Sequence, residues 1–157
     1  MTNTKQNSSH CPICLGNQGV ENEHTLLLQQ DLVHRTELIS VWINSFWIEG
    51  NEGHVIIVPN EHFENLYTLP IHIGAAIFEA SKQAALALKA AYNCDGITLR
   101  QNNEPAGDQH AMHYHLHVFP RYEGDAFNLN GLKVKQVVSI ADRTVKVKKL
   151  QPYFNSD

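Results

Sequence analysis

The chain has 157 residues, of which 43% are hydrophobic and 18% charged, and its twelve Lys+Arg and sixteen Asp+Glu give a formal net charge of −4. This length predicts one domain, which we place at residues 10–157 after a flexible tail at residues 1–9, and the balanced composition excludes a disordered or fibrous chain. The negative charge argues against a general binder of nucleic-acid polymers or membrane surfaces. Histidine is in excess, because ten occur and four of them lie within residues 110–117.

The N-terminal region combines a polar tail with the pair Cys11 and Cys14 in Cys-Pro-Ile-Cys. The tail lacks the apolar core of a signal peptide, and no stretch approaches the ~20 apolar residues that span a bilayer. Together with Cys94, the three cysteines are too few for a disulfide framework. We therefore expect a soluble, cytoplasmic protein without membrane contacts. The Cys-x-x-Cys pair by itself leaves a zinc site and two unligated thiols open, whereas a redox interpretation lacks its βαβ context.

The next part of the chain predicts short strands and then one long helix. The best strand within residues 26–43 is Leu38–Ile43, and His54–Val58 has the β-branched sequence of a buried central strand. A helix is predicted from about Thr68 to Tyr92, because apolar residues recur there at spacings of three and four. The stripe expected to face the core comprises Ile73, Ile77, Ala80, Ala84, Leu88 and Ala91.

The second half of the chain predicts further strands. Ile97–Arg100 forms one, a polar loop covers residues 101–109, and His113–Phe119 alternates with period two. We interpret the alternating Val145–Lys148 as a solvated edge strand protected by lysines, because residues 131–157 carry six Lys+Arg against two acids. A field that steers phosphate substrates is the alternative. Several strands, one long helix and no βαβ alternation predict an α+β domain built on an antiparallel sheet.

The histidines of the segment His113–Phe119 occupy alternate positions. On an extended strand His113, His115 and His117 share one face, with neighbouring rings roughly 7 Å apart. A strand that merely exposes three polar residues has no packing reason to choose histidine each time. Paired imidazoles on a strand suit a catalytic zinc ion that takes a third ligand from elsewhere. The alternative is a nucleophilic imidazole whose neighbours orient it and bind the anionic group under attack.

Several segments carry a resemblance to a known family. His113–Phe119 is similar to the His-x-His-x-His motif, followed by two apolar residues, of the histidine triad (HIT) family of nucleotide hydrolases and transferases. Gly53–His62 resembles the family's strand that ends in Pro-x-x-His, and residues 102–109 resemble its phosphate loop. Phe119–Tyr122 resembles the common continuation of the triad strand. Because these elements occur in the family's order and spacing, the resemblance covers most of residues 38–122.

The resemblance implies a fold and an activity. HIT proteins have an α+β fold with a five-stranded antiparallel sheet, one long helix and a short one, and they pair as homodimers whose sheets join into ten strands. They cleave nucleotides at the α-phosphate through a nucleotidyl-histidine intermediate that water then hydrolyses. We therefore expect a nucleotide substrate, either a dinucleoside polyphosphate or a nucleoside phosphoramidate, and no organic cofactor.

The resemblance also implies roles for individual residues. His115 matches the nucleophile, and His54 matches the upstream histidine that lies beside the phosphate. His117 matches the third triad member, which contacts the phosphate or helps the leaving group depart. The resemblance places substrate contacts at Asn44, Asn102, Gln109 and His117. Asn44 corresponds to the position that usually binds ribose hydroxyls.

Two positions of the phosphate loop depart from the family pattern. The glycine that usually stands five residues before the first triad histidine is Asp108 here, and the serine or threonine that often assists the leaving group is His110. Asp108 brings a carboxylate near an anionic substrate, whereas His110 takes over the catalytic acid role or changes the leaving-group preference. A nucleotide-binding sensor with little turnover is therefore an alternative function.

The resemblance extends to the cysteine pair. HIT branches with an N-terminal Cys-x-x-Cys bind structural zinc through both cysteines, the histidine of Pro-x-x-His and the first triad histidine. These positions are Cys11, Cys14, His62 and His113 here, which gives a closed Cys2His2 site. In this interpretation the zinc holds the start of the nucleophile strand. A catalytic-zinc hydrolase would instead use His113 and His115 as metal ligands.

Overall fold

A five-stranded antiparallel sheet forms the centre of the molecule. The computed structural model describes residues 10–134 and 136–154, so the tail predicted at residues 1–9 lies outside the described residues. The strands pair in the order β1-β2-β3-β5-β4. They are β1 (Leu32–Arg35), β2 (Ile39–Ile43), β3 (Val55–Pro59), β4 (Gly96–Gln101) and β5 (Leu116–Arg121). The predicted α+β fold with a five-stranded antiparallel sheet is confirmed.

Four α-helices accompany the sheet within the described part of the chain, two more than the resemblance implies. They are α1 (Pro12–Gln18), α2 (Ile71–Tyr92), α3 (Phe127–Gly131) and α4 (Ile140–Leu150). Helix α2 is the predicted long helix, and it begins after Pro70 rather than at Thr68. Its predicted apolar stripe is buried, except that Ala91 is half-buried. None of the described helices has the length and apolarity needed to cross a lipid bilayer.

The sheet packs on both faces, and alternation along its strands separates the two sets of side chains. Val41, Ile57 and Val118 belong to the core that the sheet forms with α2. Trp42 and Ile56, each one residue away along its strand, belong to a separate cluster that includes residues of α1 and of the segment before β1. We call this the second face of the sheet, and it carries the candidate active site.

Strand β5 begins at Leu116, so the predicted strand start at His113 is wrong. Pro59, the last residue of β3, has no N–H to donate to a further rung of the β3–β5 ladder. Its carbonyl instead accepts a hydrogen bond from the ring Nε2–H of His113, at 3.0 Å. The predicted alternation holds, because Tyr114, Leu116 and Val118 all pack in the core with α2, whereas His113 contacts the cysteines at the start of α1 on the second face. His113 is fully buried, whereas His115 and His117 line a cavity.

Helix α4 occupies the region that was predicted to be an edge strand at Val145–Lys148, and that prediction is wrong. Four alternating residues are too short a window to distinguish a strand from a helix. Over the whole element the buried residues are Arg143, Val147 and Leu150, which is the spacing of one helical face. Arg143 also forms a buried ion pair with Asp31, which directly precedes β1. Tertiary contacts therefore select the helix.

A glycine fixes the backbone ahead of His54. Gly53 has a φ of 81°, a left-handed conformation that favours glycine. A Cβ atom there would lie 2.7 Å from Tyr92 Oη. The same hydroxyl donates a hydrogen bond to the Gly53 carbonyl at 3.1 Å. Helix α2, which ends at Tyr92, therefore fixes the turn that places His54 on the second face.

Candidate active site

A cavity of about 650 Å³ opens on the second face of the sheet. This volume is typical of sites for small molecules. Apolar side chains of the segment before β1 and of α3 contribute to the wall, among them Leu27 and Phe127. The predicted catalytic and substrate-binding residues that line it are His54, His110, His115, His117, Asn44 and Asn102. The structure therefore brings together all of these predicted residues except Gln109.

The ring of His115 is held by the backbone that precedes it. Its Nδ1 lies 2.7 Å from the carbonyl oxygen of His113. Because a carbonyl oxygen only accepts, the proton resides on Nδ1 and the lone pair of Nε2 is unengaged. Burial lowers the pKa of His115, mainly by desolvation of the charged form. His115 is therefore a neutral imidazole with a basic nitrogen, which is the form that a nucleophile requires.

Asn44, His54 and His117 form a hydrogen-bonded chain beside His115. The amide Nδ2–H of Asn44 donates to Nε2 of His54 at 2.7 Å. That nitrogen is therefore unprotonated, and it also accepts from the Nδ1–H of His117 at 3.3 Å. The ring of Phe119 stacks on both histidines, with centroid distances of 4.1 Å to His54 and 5.4 Å to His117. These hydrogen bonds and the stacking on Phe119 fix the ring orientations of both histidines.

His54 and the half-buried His117 are neutral at physiological pH. Desolvation lowers the pKa of His54 to about 3, and the positive charge of Arg100 adds to that shift. Desolvation also lowers the pKa of His117 well below its ordinary value, with smaller contributions from His54, His115 and Arg100. The imidazoles therefore supply hydrogen bonds and lone pairs to the cavity, but no positive charge.

Acidification should destabilise the folded protein through His54. Because the pKa is about 3 when folded and about 6.5 when unfolded, the unfolded state binds more protons between these values. The contribution of His54 to the free energy of unfolding is fully present above pH 6.5. It decreases as the pH falls, by about 2 kcal/mol between pH 7 and pH 5. Urea unfolding at both pH values measures this. The decrease in the free energy of unfolding between pH 7 and pH 5 should be smaller by this amount in His54→Gln. It should be unchanged in the control His72→Gln, because His72 is exposed. Equal decreases in the wild-type protein and both variants contradict the assignment.

The loop between β4 and β5 is stabilised by side-chain amides. Asn102 Nδ2 donates to the carbonyl of Asp108 at 3.2 Å. Gln109 is buried, and its Nε2 donates to the Glu64 carbonyl at 2.6 Å while its Oε1 accepts the N–H of Glu104 at 2.7 Å. The buried side chain of Gln109 therefore stabilises the conformation of the loop through hydrogen bonds to the backbone. The structure does not bring it to the wall of the cavity, whereas Asn102 lies there.

The two unusual loop residues both line the cavity and are exposed. Asp108 has a φ of 64°, in the left-handed region. Aspartate is one of the few residues besides glycine that visit this region, because its short polar side chain bonds locally. Aspartate is therefore compatible with the left-handed backbone at this position, where the family pattern has a glycine. His110 lies close enough to His115 and His117 to contribute to lowering the pKa of both.

Next to the cavity lies a cluster of four metal-capable side chains. Its members are Cys11, Cys14, His62 and His113, whose ligand atoms all lie within 4.8 Å of one another. Cys14 Sγ is 3.2 Å from His62 Nδ1 and 3.4 Å from His113 Nδ1, and Cys11 Sγ is 3.5 Å from His113 Nδ1. Tetrahedral zinc with two sulfur and two nitrogen ligands separates ligand atoms by roughly 3.5 Å. The donor set and its spacing therefore fit zinc.

His113 links this cluster to the candidate nucleophile. Its Nε2–H donates to the Pro59 carbonyl, which leaves Nδ1 to face the cysteines. Its own carbonyl accepts the hydrogen bond of His115 Nδ1. Among the described residues the metal-capable group contains His113 but not His115, so the geometry gives no support to a catalytic metal shared by these two residues.

Arg100 is a cavity residue that the sequence analysis did not identify as functional. It lies on β4, where its Cα is paired with that of His117 on β5. Residues directly opposite each other on antiparallel strands project from the same face. The strand prediction for Ile97–Arg100 gives no register relative to the histidine strand. A signal in the sequence is the location of this cation directly before the loop that resembles a phosphate loop.

Comparison with known proteins identifies relatives in sequence. A family model described as HIT domain matches residues 21–124. Among curated relatives, Protein hit of Bacillus subtilis (strain 168) is 37% identical over 78 residues, which cover 48% of this chain and 53% of that protein. The chain thus spans about half the length of this relative.

Solved structures share the fold. A Zn-bound histidine triad family protein from Mycobacterium smegmatis has a TM-score of 0.74 at 21% identity, over 93% of this chain and 94% of that chain. The diadenosine triphosphate hydrolase of Plasmodium falciparum has a TM-score of 0.70 at 13% identity, over 92% of this chain and 95% of that chain. At these identities the likeness concerns the fold alone.

Proposed function

The chain belongs to the HIT domain family, and from this premise we propose that it is a nucleotide hydrolase or nucleotidyl transferase that acts at the α-phosphate through His115. The observation that carries the proposal is the 2.7 Å hydrogen bond from His115 Nδ1–H to the His113 carbonyl. It leaves the lone pair of Nε2 available for attack. The diadenosine triphosphate hydrolase among the structural neighbours is an example of a protein with this fold that hydrolyses a dinucleoside polyphosphate.

The proposed reaction consists of two displacements. In the first, the Nε2 lone pair of His115 forms a bond to the α-phosphorus, and the bond from phosphorus to the leaving atom breaks with its electron pair going to that atom. In the second, a water oxygen bonds to phosphorus, the bond to Nε2 breaks, and that electron pair returns to the imidazole, while the water gives a proton to His117, which is neutral again after protonating the leaving group. A transferase differs only in its acceptor. These two steps replace a single displacement by water that would have a higher barrier.

The neighbouring histidines manage charge and protons in this proposal. His117 is neutral in the free protein, and a bound anionic phosphate favours its protonated form, since opposite charges attract. A proton thereby becomes available for the leaving group. His54 holds His117 through the hydrogen bond at 3.3 Å and lies beside the phosphate. His110, at the exposed wall, serves as the second acid in the place of a hydroxyl side chain.

The apolar part of the cavity suits the nucleoside. Leu27, Ile48 and Phe127 line it, and their side chains can bury a base away from water. Asn44, whose Nδ2 bonds to His54, keeps its Oδ1 for ribose hydroxyls, and Asn102 contacts the phosphate from the loop. Dinucleoside polyphosphates and nucleoside phosphoramidates both present the α-phosphate that this arrangement needs.

We also propose that Cys11, Cys14, His62 and His113 bind structural zinc. The separations between their ligand atoms and the Cys2His2 donor set support this assignment, as does the Zn-bound structural neighbour. A bound Zn2+ would cross-link α1, the residues after β3 and the segment before β5. Homodimerisation and a cytoplasmic location stay predictions.

Trapping of the covalent intermediate tests the proposed function. The protein is mixed with a panel of dinucleoside polyphosphates and nucleoside phosphoramidates, quenched within seconds, and analysed by peptide mass spectrometry. We expect a nucleoside monophosphate adduct on His115. An adduct on another residue contradicts the assignment of the nucleophile, and tight nucleotide binding without any adduct or product supports the sensor instead.

A further inference from the structure

One arginine faces the candidate active site without an ion pair or a hydrogen bond among the described residues. Arg100 is the only lysine or arginine among the described residues that line the cavity. Its guanidinium has no ion pair or hydrogen bond within residues 10–134 and 136–154. By contrast, Arg121 pairs with Asp125 and Arg143 pairs with Asp31. Arg100 therefore has its full donor capacity available for a ligand.

An aromatic ring holds this guanidinium beside His54 and His117. The central carbon of the Arg100 guanidinium lies 4.9 Å from the centroid of the Phe119 ring. The same ring stacks on His54 and His117. The pairing of Arg100 with His117 across the strands places the cation on the same sheet face. Phe119 and the strand register thus fix where the positive charge lies.

The charge balance of the cavity depends on this residue. In the free protein His54 and His117 are neutral because burial lowers their pKa values, and the exposed Asp108 brings a negative charge to the wall. A dinucleoside polyphosphate carries several negative charges, and its departing phosphate chain gains one more as the bond to the α-phosphorus breaks. An amine that leaves a phosphoramidate, once protonated, carries no negative charge. Only the first type of leaving group needs a fixed cation.

We infer that Arg100 binds the departing phosphate chain, so that the preferred substrates are nucleotides whose leaving group is itself a phosphate or polyphosphate. The planar guanidinium offers two parallel donors to phosphate oxygens, which makes arginine well suited to this contact. The inference rests on the proposed chemistry at His115. It selects dinucleoside polyphosphates over the phosphoramidates that the same α-phosphate chemistry permits.

Kinetics with two leaving groups test this inference. In Arg100→Met, kcat/KM for diadenosine tetraphosphate should fall by ~10- to 100-fold, the effect of losing a charged hydrogen bond, while kcat/KM for adenosine 5′-phosphoramidate should change by less than ~3-fold. Arg35→Met is the matched control. Arg35 also lies over an aromatic ring, 5.4 Å from Trp42, but it is outside the cavity. In Arg35→Met, kcat/KM for each of the two substrates should stay within ~2-fold of the wild-type value.

Binding of tripolyphosphate gives a second measurement that needs no turnover. By calorimetry, Arg100→Met should weaken the Kd for tripolyphosphate by about 10-fold, and Arg35→Met should not change it. Equal losses on both nucleotide substrates would place Arg100 at the α-phosphate and overturn the inference. Unchanged kinetics on the tetraphosphate also overturn it. If the wild-type protein turns over no substrate, the proposed function fails, and tripolyphosphate binding alone decides whether Arg100 holds a phosphate chain.

Discussion

Replacement of His115 with alanine should lower kcat for the nucleotide substrate by at least ~10⁴-fold, because it removes the group that forms the covalent bond to phosphorus. The Kd for nucleotide should stay close to that of the wild-type protein, since the base, ribose and phosphate contacts belong to other residues. Zinc at the proposed site should also remain, because His115 uses its Nδ1 for the His113 carbonyl and is not a member of the metal-capable cluster. Single-turnover kinetics, nucleotide titration and metal analysis of one preparation measure all three quantities.

His72→Ala provides the matched control for this experiment. His72 is exposed in the first turn of α2 and does not line the cavity, so its removal should leave kcat within ~2-fold of wild type. If His115→Ala keeps normal turnover, another residue is the nucleophile. If His115→Ala loses its metal together with its activity, the catalytic-zinc hydrolase regains support.

The second large effect is expected at the cysteine cluster. Cys14→Ser should release the zinc and lower the free energy of unfolding by more than about 3 kcal/mol, as loss of a structural metal commonly does. Cys14 is buried, and its Sγ contacts both histidines of the cluster, so a serine hydroxyl in its place removes a thiolate ligand from the centre of the site. Plasma mass spectrometry of the purified protein and urea unfolding measure the two quantities.

The third cysteine of the chain supplies the control. Cys94 is also buried but belongs to the core with α2, and it is not part of the metal-capable cluster. Cys94→Ser should lose some stability through packing and retain its zinc. The assignment is contradicted if the wild-type protein contains no zinc after expression in zinc-supplemented medium. It is also contradicted if Cys14→Ser protein contains stoichiometric zinc.

Local patterns predicted those elements whose environment is uniform along their length. The apolar stripe of α2 faces one core, and the β-branched run of β3 is buried on both faces of the sheet, so each pattern gives the correct element. Val145–Lys148 has the alternation of a strand, but its neighbours Arg143 and Leu150 complete a helical face that packs on the rest of the molecule. The start of β5 depends on Pro59, which lies on another strand and has no N–H for the next rung.

The sequence by itself determined the fold class and, through its resemblance to HIT proteins, the segments that supply the candidate site. The residues of each motif are close in sequence, so the motif can be recognised without knowledge of contacts between distant parts of the chain. The tertiary structure supplies the contacts behind the division of the histidines that the resemblance implies, because Cys11 and His113 lie 102 positions apart and meet only when the chain folds. It also decided that Gln109 points into the loop and that Arg100 faces the cavity beside His117. These depend on strand register and long-range packing, which no short segment encodes.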